Sequence, residues 1–157
     1  MKKIITLALV FVFSISAFAK IGVVDTSKIL ANYSGAKTVE QNLSASVKRL
    51  EQEAASKNAA LEKEQAELIA KGNKLTAKEQ ENFEKKVYEF RKFISDSQEK
   101  LDREKEQKLD EIQNKLMLAA QAVAREGGYE SIFQKGAILA GGEDVTDKVL
   151  RKMESMK

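Results

Sequence analysis

Residues 71–79 read Lys-Gly-Asn-Lys-Leu-Thr-Ala-Lys-Glu, and their reading decides the fold. On both sides, from about Ala36 to Glu126, the chain is dominated by Ala, Leu, Glu, Lys and Gln, the strong helix formers. Gly72 and Asn73 are the residue types that tolerate the left-handed conformation ending a helix. Thr76-Ala77-Lys78-Glu79 fits a capping box, in which Thr76 caps and Glu79 reaches back. One helix therefore stops near Lys71 and another starts near Thr76. So short a link makes them antiparallel neighbours.

Heptad spacing supports the hairpin. In the first helix, alternating heptad steps pass through Leu43, Val47, Leu50, Ala54, Lys57, Leu61, Glu64 and Leu68, with polar breaks at Lys57 and Glu64. In the second they pass through Phe83, Val87, Phe90, Ile94, Ser97 and Leu101. Folding about residues 73–74 pairs Leu61 with Val87, Ala54 with Ile94, and Val47 with Leu101. It sets Lys57 opposite Phe90 and Glu64 opposite Phe83, where methylene stems can cover rings while charged heads stay wet. The breaks at Lys57, Glu64 and Ser97 have two readings. They loosen the seam so that the arm can splay, or they fix its register.

Beyond the hairpin the texture changes. Lys20–Asp25 is short, β-branched and apolar, and reads as a buried strand. Thr26–Ser34 reads as a short helix or turn capped by Asp25, Thr26 or Ser27. After a polar stretch at Asp102–Lys108, the apolar stripe resumes out of phase at Leu109, Ile112, Leu116, Ala119 and Val123, which marks a change of partner. Gly127-Gly128 ends the helix. Tyr129–Gln134, a turn at Lys135-Gly136, and Ala137–Ala140 read as a β-hairpin. Thr146 is placed to cap a terminal helix whose apolar face is Val149, Leu150 and Met153.

Residues 1–19 read as a cleaved secretory signal peptide. Lys2 and Lys3 form its charged start, Ile4–Phe13 its apolar run, and Ala17-Phe18-Ala19 its cleavage site. The run is shorter than the roughly 20 apolar residues of a membrane span. Cleavage after Ala19 would remove two lysines and no acid. The 27 Lys+Arg and 24 Asp+Glu of the full chain thus become 25 and 24. The sequence pI of 8.9 overstates the basicity of such a mature chain, and its interleaved charges argue against nucleic-acid binding.

Composition narrows function further. The 157 residues contain no His and no Cys, so the usual zinc sites, Cys nucleophiles, Ser-His-Asp triads and disulfides are excluded. No cofactor or metal is implied, and no enzyme is expected. Dimensions point to an assembly. A helix of about 50 residues reaches roughly 75 Å. The body, residues 20–35 and 109–157, is small for a core of its own, and three strands leave open edges. A homo-oligomer with a shared body and projecting arms resolves both problems.

Three segments carry a family resemblance. They are Ile21-Gly22-Val23-Val24-Asp25, Gly128-Tyr129-Glu130-Ser131-Ile132-Phe133, and the stretch from Ala137 to Leu150, with Asp144-Val145-Thr146-Asp147 the most specific part. On these the chain resembles the Skp/OmpH family of periplasmic chaperones for outer-membrane proteins. The resemblance implies an α+β, mainly α fold. A coiled-coil arm at 36–108, with its tip at about 71–76, would project from a β-containing trimerisation body at 20–35 and 109–157. It implies a homotrimer that holds unfolded outer-membrane β-barrel proteins between its arms without ATP and passes them toward the outer membrane. The alternative is a structural coiled-coil protein of the envelope that binds no client.

Candidate site residues follow from exposure and charge. Phe93 and Tyr88 lie beside the seam, and Phe90 and Phe83 in it; all four are candidates to touch client. The rival reading for Phe93 and Tyr88 is that they wrap the seam's edge. Lys71, Lys74 and Lys78 form a basic tip that suits acidic lipid head groups or acidic client segments, or is a solvated loop. Ile21, Val23, Ile132, Ile138 and Leu139 are the candidate oligomerisation core.

Overall fold

A computed structural model describes residues 20–156; the signal-peptide reading of residues 1–19 lies outside them. Strand β1 (Ile21–Val24) leads into helix α1 (Thr26–Asn32), then α2 (Ser34–Lys71). A 3-10 turn at Gly72–Lys74 links α2 to α3 (Ala77–Gly127). Strand β2 (Ser131–Gln134), a 3-10 turn at Lys135–Ala137, strand β3 (Glu143–Asp144) and helix α4 (Thr146–Ser155) complete the chain. With 38 and 51 residues, α2 and α3 measure about 57 and 77 Å at 1.5 Å per residue.

The hairpin turns where the sequence predicts. Gly72 takes φ 49°, and the capping box forms: the Glu79 N–H donates to Thr76 Oγ1 at 3.3 Å and the Thr76 N–H to Glu79 Oε2 at 3.0 Å. α1 is capped by Asp25, whose Oδ1 accepts the Lys28 N–H at 3.0 Å.

The predicted β-hairpin does not form. The sheet is three-stranded and parallel, in the order β2-β1-β3. Ala137–Ala140 is not a strand; the third strand lies later, at Glu143–Asp144. A tight two-residue hairpin needs positive φ in its turn, and neither Lys135 nor Gly136 has it. Positive φ falls instead at Gly141 and Gly142. There the chain reverses and lays β3 beside β1. A Cβ on Gly142 would sit 2.4 Å from Val23 Cγ2, so this approach admits only glycine.

The core belongs to the body. Val24, Ile29, Tyr33, Ile112, Ala119, Val123, Tyr129, Val145, Val149 and Met153 are its buried apolar residues. The resumed stripe of α3 packs here through Ile112, Ala119 and Val123, as predicted, but Leu109 stays exposed above the body. Thr146 does not cap α4. It is 1% exposed, and its Oγ1 accepts the Asp25 N–H at 2.9 Å. The capping role falls to Asp144, whose Oδ1 accepts the Thr146 N–H at 2.9 Å.

A charged cluster gathers beside β3 at one edge of the sheet. Lys148 Nζ lies 2.6 Å from Glu143 Oε1 and donates to the Tyr129 hydroxyl at 2.9 Å. Lys20 Nζ lies 3.2 Å from Glu143 Oε2 and 4.1 Å from the Tyr129 ring centre. Lys148 first, then the Tyr129 hydroxyl and Lys20, hold the Glu143 carboxyl down to about 2.

Two outcomes are expected. Thr146→Val leaves the Asp25 N–H without its acceptor and lowers unfolding stability by about 1–3 kcal/mol, whereas Thr146→Ser retains most of it, as read by urea denaturation. Glu143 titrates lower folded than unfolded, so its contribution is present above its ordinary value of 4.5 and is lost as pH falls toward 2. The stability gap between the native chain and Glu143→Gln should therefore narrow across that window and stay constant at neutral pH.

Candidate functional site

The arm tip is less basic than its sequence. Lys71 forms an ion pair with Glu79, across the link between the helices. That contact first, then the Thr76 backbone N–H, brings the Glu79 carboxyl down to about 2. Of the three tip lysines, Lys74 and Lys78 have no carboxylate partner among the described residues.

Below the tip the two helices pack along a seam that covers each on one face only. α2 contains no buried residue. Leu61, Leu68, Phe83, Val87 and Phe90 are half-buried, while Val47 and Ile94 are exposed. Lys86 Nζ bonds both carboxylate oxygens of Glu64, at 2.7 and 2.8 Å. Lys57 Nζ sits 5.0 Å from the ring centre of Phe93, not over Phe90 as the predicted register has it. These contacts and the Lys71–Glu79 pair are all centred on residue 75. The link runs on to Leu75, whose N–H bonds the Gly72 carbonyl at 3.1 Å, and this carries the centre past the predicted axis.

The four aromatic candidates do not share one surface. Phe83 and Phe90 lie in the seam, and Phe93 joins its edge, half-buried under Lys57, where Ile94 of the predicted seam is exposed. Tyr88 is 67% exposed. Five residues of helix place it about 140° around α3 from Phe93, on the far flank. On the Phe93 flank a shallow groove runs between the helices as three joined depressions. The middle one, about 340 Å³, is lined by Ala60, Leu61, Phe90 and Phe93 between Lys57 and Lys86. Glu64, Lys86 and Glu89 also line the depression toward the tip, and Phe93 also lines the one toward the body.

A second surface lies on the outer face of the sheet. Side chains alternate along a strand, so Gly22, Val24 and Ile132 turn toward the core while Ile21, Val23 and Phe133 turn away. Ile21 is 38% and Phe133 42% exposed, and Leu139 is fully exposed. Ile138 is half-buried. Of the five candidate oligomerisation residues, Ile132 packs on the chain's own core, and Phe133 takes its place on the outer face. The signal for Phe133 was available in the strand period once Ile132 was placed inward.

The comparisons fit this geometry. No curated protein matches the sequence. A crystal structure of an OmpH-like protein from Caulobacter crescentus CB15, proposed to be an outer membrane chaperone, matches with a TM-score of 0.65 at 16% identity, covering 88% of this chain and 86% of that one. At that identity the match speaks to the fold alone. It is the same long helical hairpin on a small sheet-containing body. Residues 20–153 match the outer membrane protein (OmpH-like) family, and the chain belongs to that family.

Proposed function

We propose that this protein is an ATP-independent periplasmic holdase that keeps unfolded outer-membrane β-barrel proteins soluble between its arms. One observation carries the reading. The arm, built of α2 and the first part of α3, carries a long apolar seam interrupted at Lys57, Glu64 and Ser97, and α2 buries none of its residues. Apolar surface left half-open over such a length suits many shallow contacts with an unfolded chain. Multivalency turns such contacts into useful affinity without a deep pocket. An unfolded barrel protein exposes alternating apolar residues that would otherwise pair edge to edge. The similarity to an OmpH-like protein proposed to be a chaperone supports the same reading. No reaction is assigned; release follows transfer of the client to its folded state in the membrane.

The working form in this proposal is a homotrimer. Ile21, Val23, Phe133 and Leu139 offer apolar surface, and β2 and β3 are open sheet edges. Both are satisfied by neighbouring copies. The domain division proposed is a body of 20–35 and 109–157 and an arm of 36–108, with Lys74 and Lys78 available to acidic lipid or client at the tip. Secretion with cleavage after Ala19 completes the reading.

The test is to dilute a urea-unfolded outer-membrane β-barrel protein into purified 20–157 without nucleotide, and to weigh soluble species by size-exclusion light scattering. Three chains with one client are expected. Client precipitation beside an unburdened oligomer would overturn the holdase reading and favour the structural coiled coil. Phe133→Asp is expected to shift the client-free protein to monomer. A variant that remains fully oligomeric would remove the outer sheet face from the interface.

A further inference from the structure

The groove on the Phe93 flank can be followed through three joined depressions, with a floor and a charge read from their lining. α2 lines it with a single stripe at helical spacing, from Ser46 through Leu50, Glu53, Lys57, Leu61 and Glu64 to Lys71. α3 lines it from Glu79 to Glu104. Each span is 26 residues of helix, or about 37 Å between its end residues at 1.5 Å per residue. An extended chain advances about 3.3 Å per residue, so the groove matches about eleven residues. A membrane-spanning β-strand is about 9–11 residues long.

Charge narrows the occupant. The three depressions are lined by six basic and six acidic side chains. Several are already matched, Lys86 with Glu64, Lys71 with Glu79 and Lys57 with Glu53. A wall of zero net charge does not attract a polyanion such as nucleic acid or a phosphorylated glycolipid, nor a polycation. It complements a chain whose polar side chains are uncharged or of both signs. The floor is most apolar at the middle, where Ala60 is the small residue and the rings of Phe90 and Phe93 stand beside it. Seated there, an apolar side chain would gain burial against aromatic faces. Its polar neighbours on the alternating strand would face water and the charged rims.

We propose that this groove receives one extended, strand-length segment of the unfolded client, near-neutral in charge and alternating in polarity, with an apolar side chain against Phe90 and Phe93. The proposal rests on the holdase reading and deepens it. One arm then shields about one strand, and the far flank carrying Tyr88 takes no part. The groove is shallow and open, so the segment exchanges readily.

The experiment places a photo-cross-linking residue at position 60 in one full-length variant and at position 88 in another. A urea-unfolded outer-membrane β-barrel protein is the probe. Aggregation is followed by light scattering in parallel. Cross-links to client from position 60 and few from position 88 are expected. Equal or stronger cross-linking from position 88, with aggregation still suppressed, overturns the groove while leaving the holdase function standing. Loss of suppression in the native protein overturns both. Client-free cross-links between copies from position 60 assign the groove to arm–arm packing and also overturn it. A second variant, Ala60→Trp, fills the floor from an exposed helix position. It should raise the concentration for half-maximal suppression by about fivefold or more, since every arm loses its site. An unchanged value with an intact circular-dichroism melt counts against the groove.

Discussion

Two helices can cover each other on one side only, and the rest of this structure depends on that constraint. A third layer is needed to bury a residue from all sides. Over the paired arm there is none, so α2 contributes no buried residue. Among the described residues, all ten buried apolar side chains lie in the body, where α1, α4 and the sheet pack on the lower part of α3. Folding free energy is therefore concentrated at one end of a molecule whose longest helix spans about 77 Å. The arm holds its shape by helix propensity, a capping box and a half-open seam.

What orients the arm is the last helix. α4 packs Val149 and Met153 into the core. It also reaches the origin of each arm helix. Glu154 accepts the Ser34 N–H at 2.7 Å and so satisfies an open donor at the start of α2. Lys152 forms an ion pair with Glu126, one residue before the end of α3. Asp147 pairs with Lys28 of α1 at 2.9 Å. The buried Thr146 hydroxyl, on the Asp25 N–H, fastens this helix to β1. The segment Asp144-Val145-Thr146-Asp147 is thus a joint. One residue caps, one fills the core, one takes a buried donor and one pairs across to α1.

The hairpin was legible because its signals are local. A glycine at a helix end and a capping box act within a few residues, and nothing in the tertiary structure competes with them at an exposed tip. The β-hairpin expected after Gly128 was misread because two glycine sites compete for the reversal. Lys135-Gly136 has the right composition, but only Gly141-Gly142 adopts positive φ, and only Gly142 lies where Val23 forbids a side chain. That exclusion is a long-range contact, which no local pattern reports. The arm aromatics show the same divide. Their place relative to the seam follows from spacing, but which of Phe93 and Tyr88 adjoins a groove depends on which partner side chains stand opposite, and so on register. The predicted axis at residues 73–74 put Phe90 under Lys57, and a small shift of the centre to residue 75 put Phe93 there instead.

The arm's weak closure bears directly on the proposed holding of client. Most ion pairs along the arm are exposed pairs within one helix, such as Lys92–Asp96 and Arg103–Glu99, and solvent screening leaves such pairs with little to contribute. Across the seam, Glu64–Lys86 and the Lys57–Phe93 contact sit at two of the heptad breaks, where larger apolar pairs would otherwise lock the helices together. Polar contacts at these positions keep the pairing register while leaving apolar groups such as Leu61 and Phe90 only half-covered. The two readings of the seam breaks are therefore compatible: a charged residue that fixes register also withholds burial. Apolar area withheld from the fold is area that the proposed client could cover, at roughly 25 cal/mol per Å². Contacts that shallow each add little, so in the proposed function a client would be retained by their number and lost when its own strands pair.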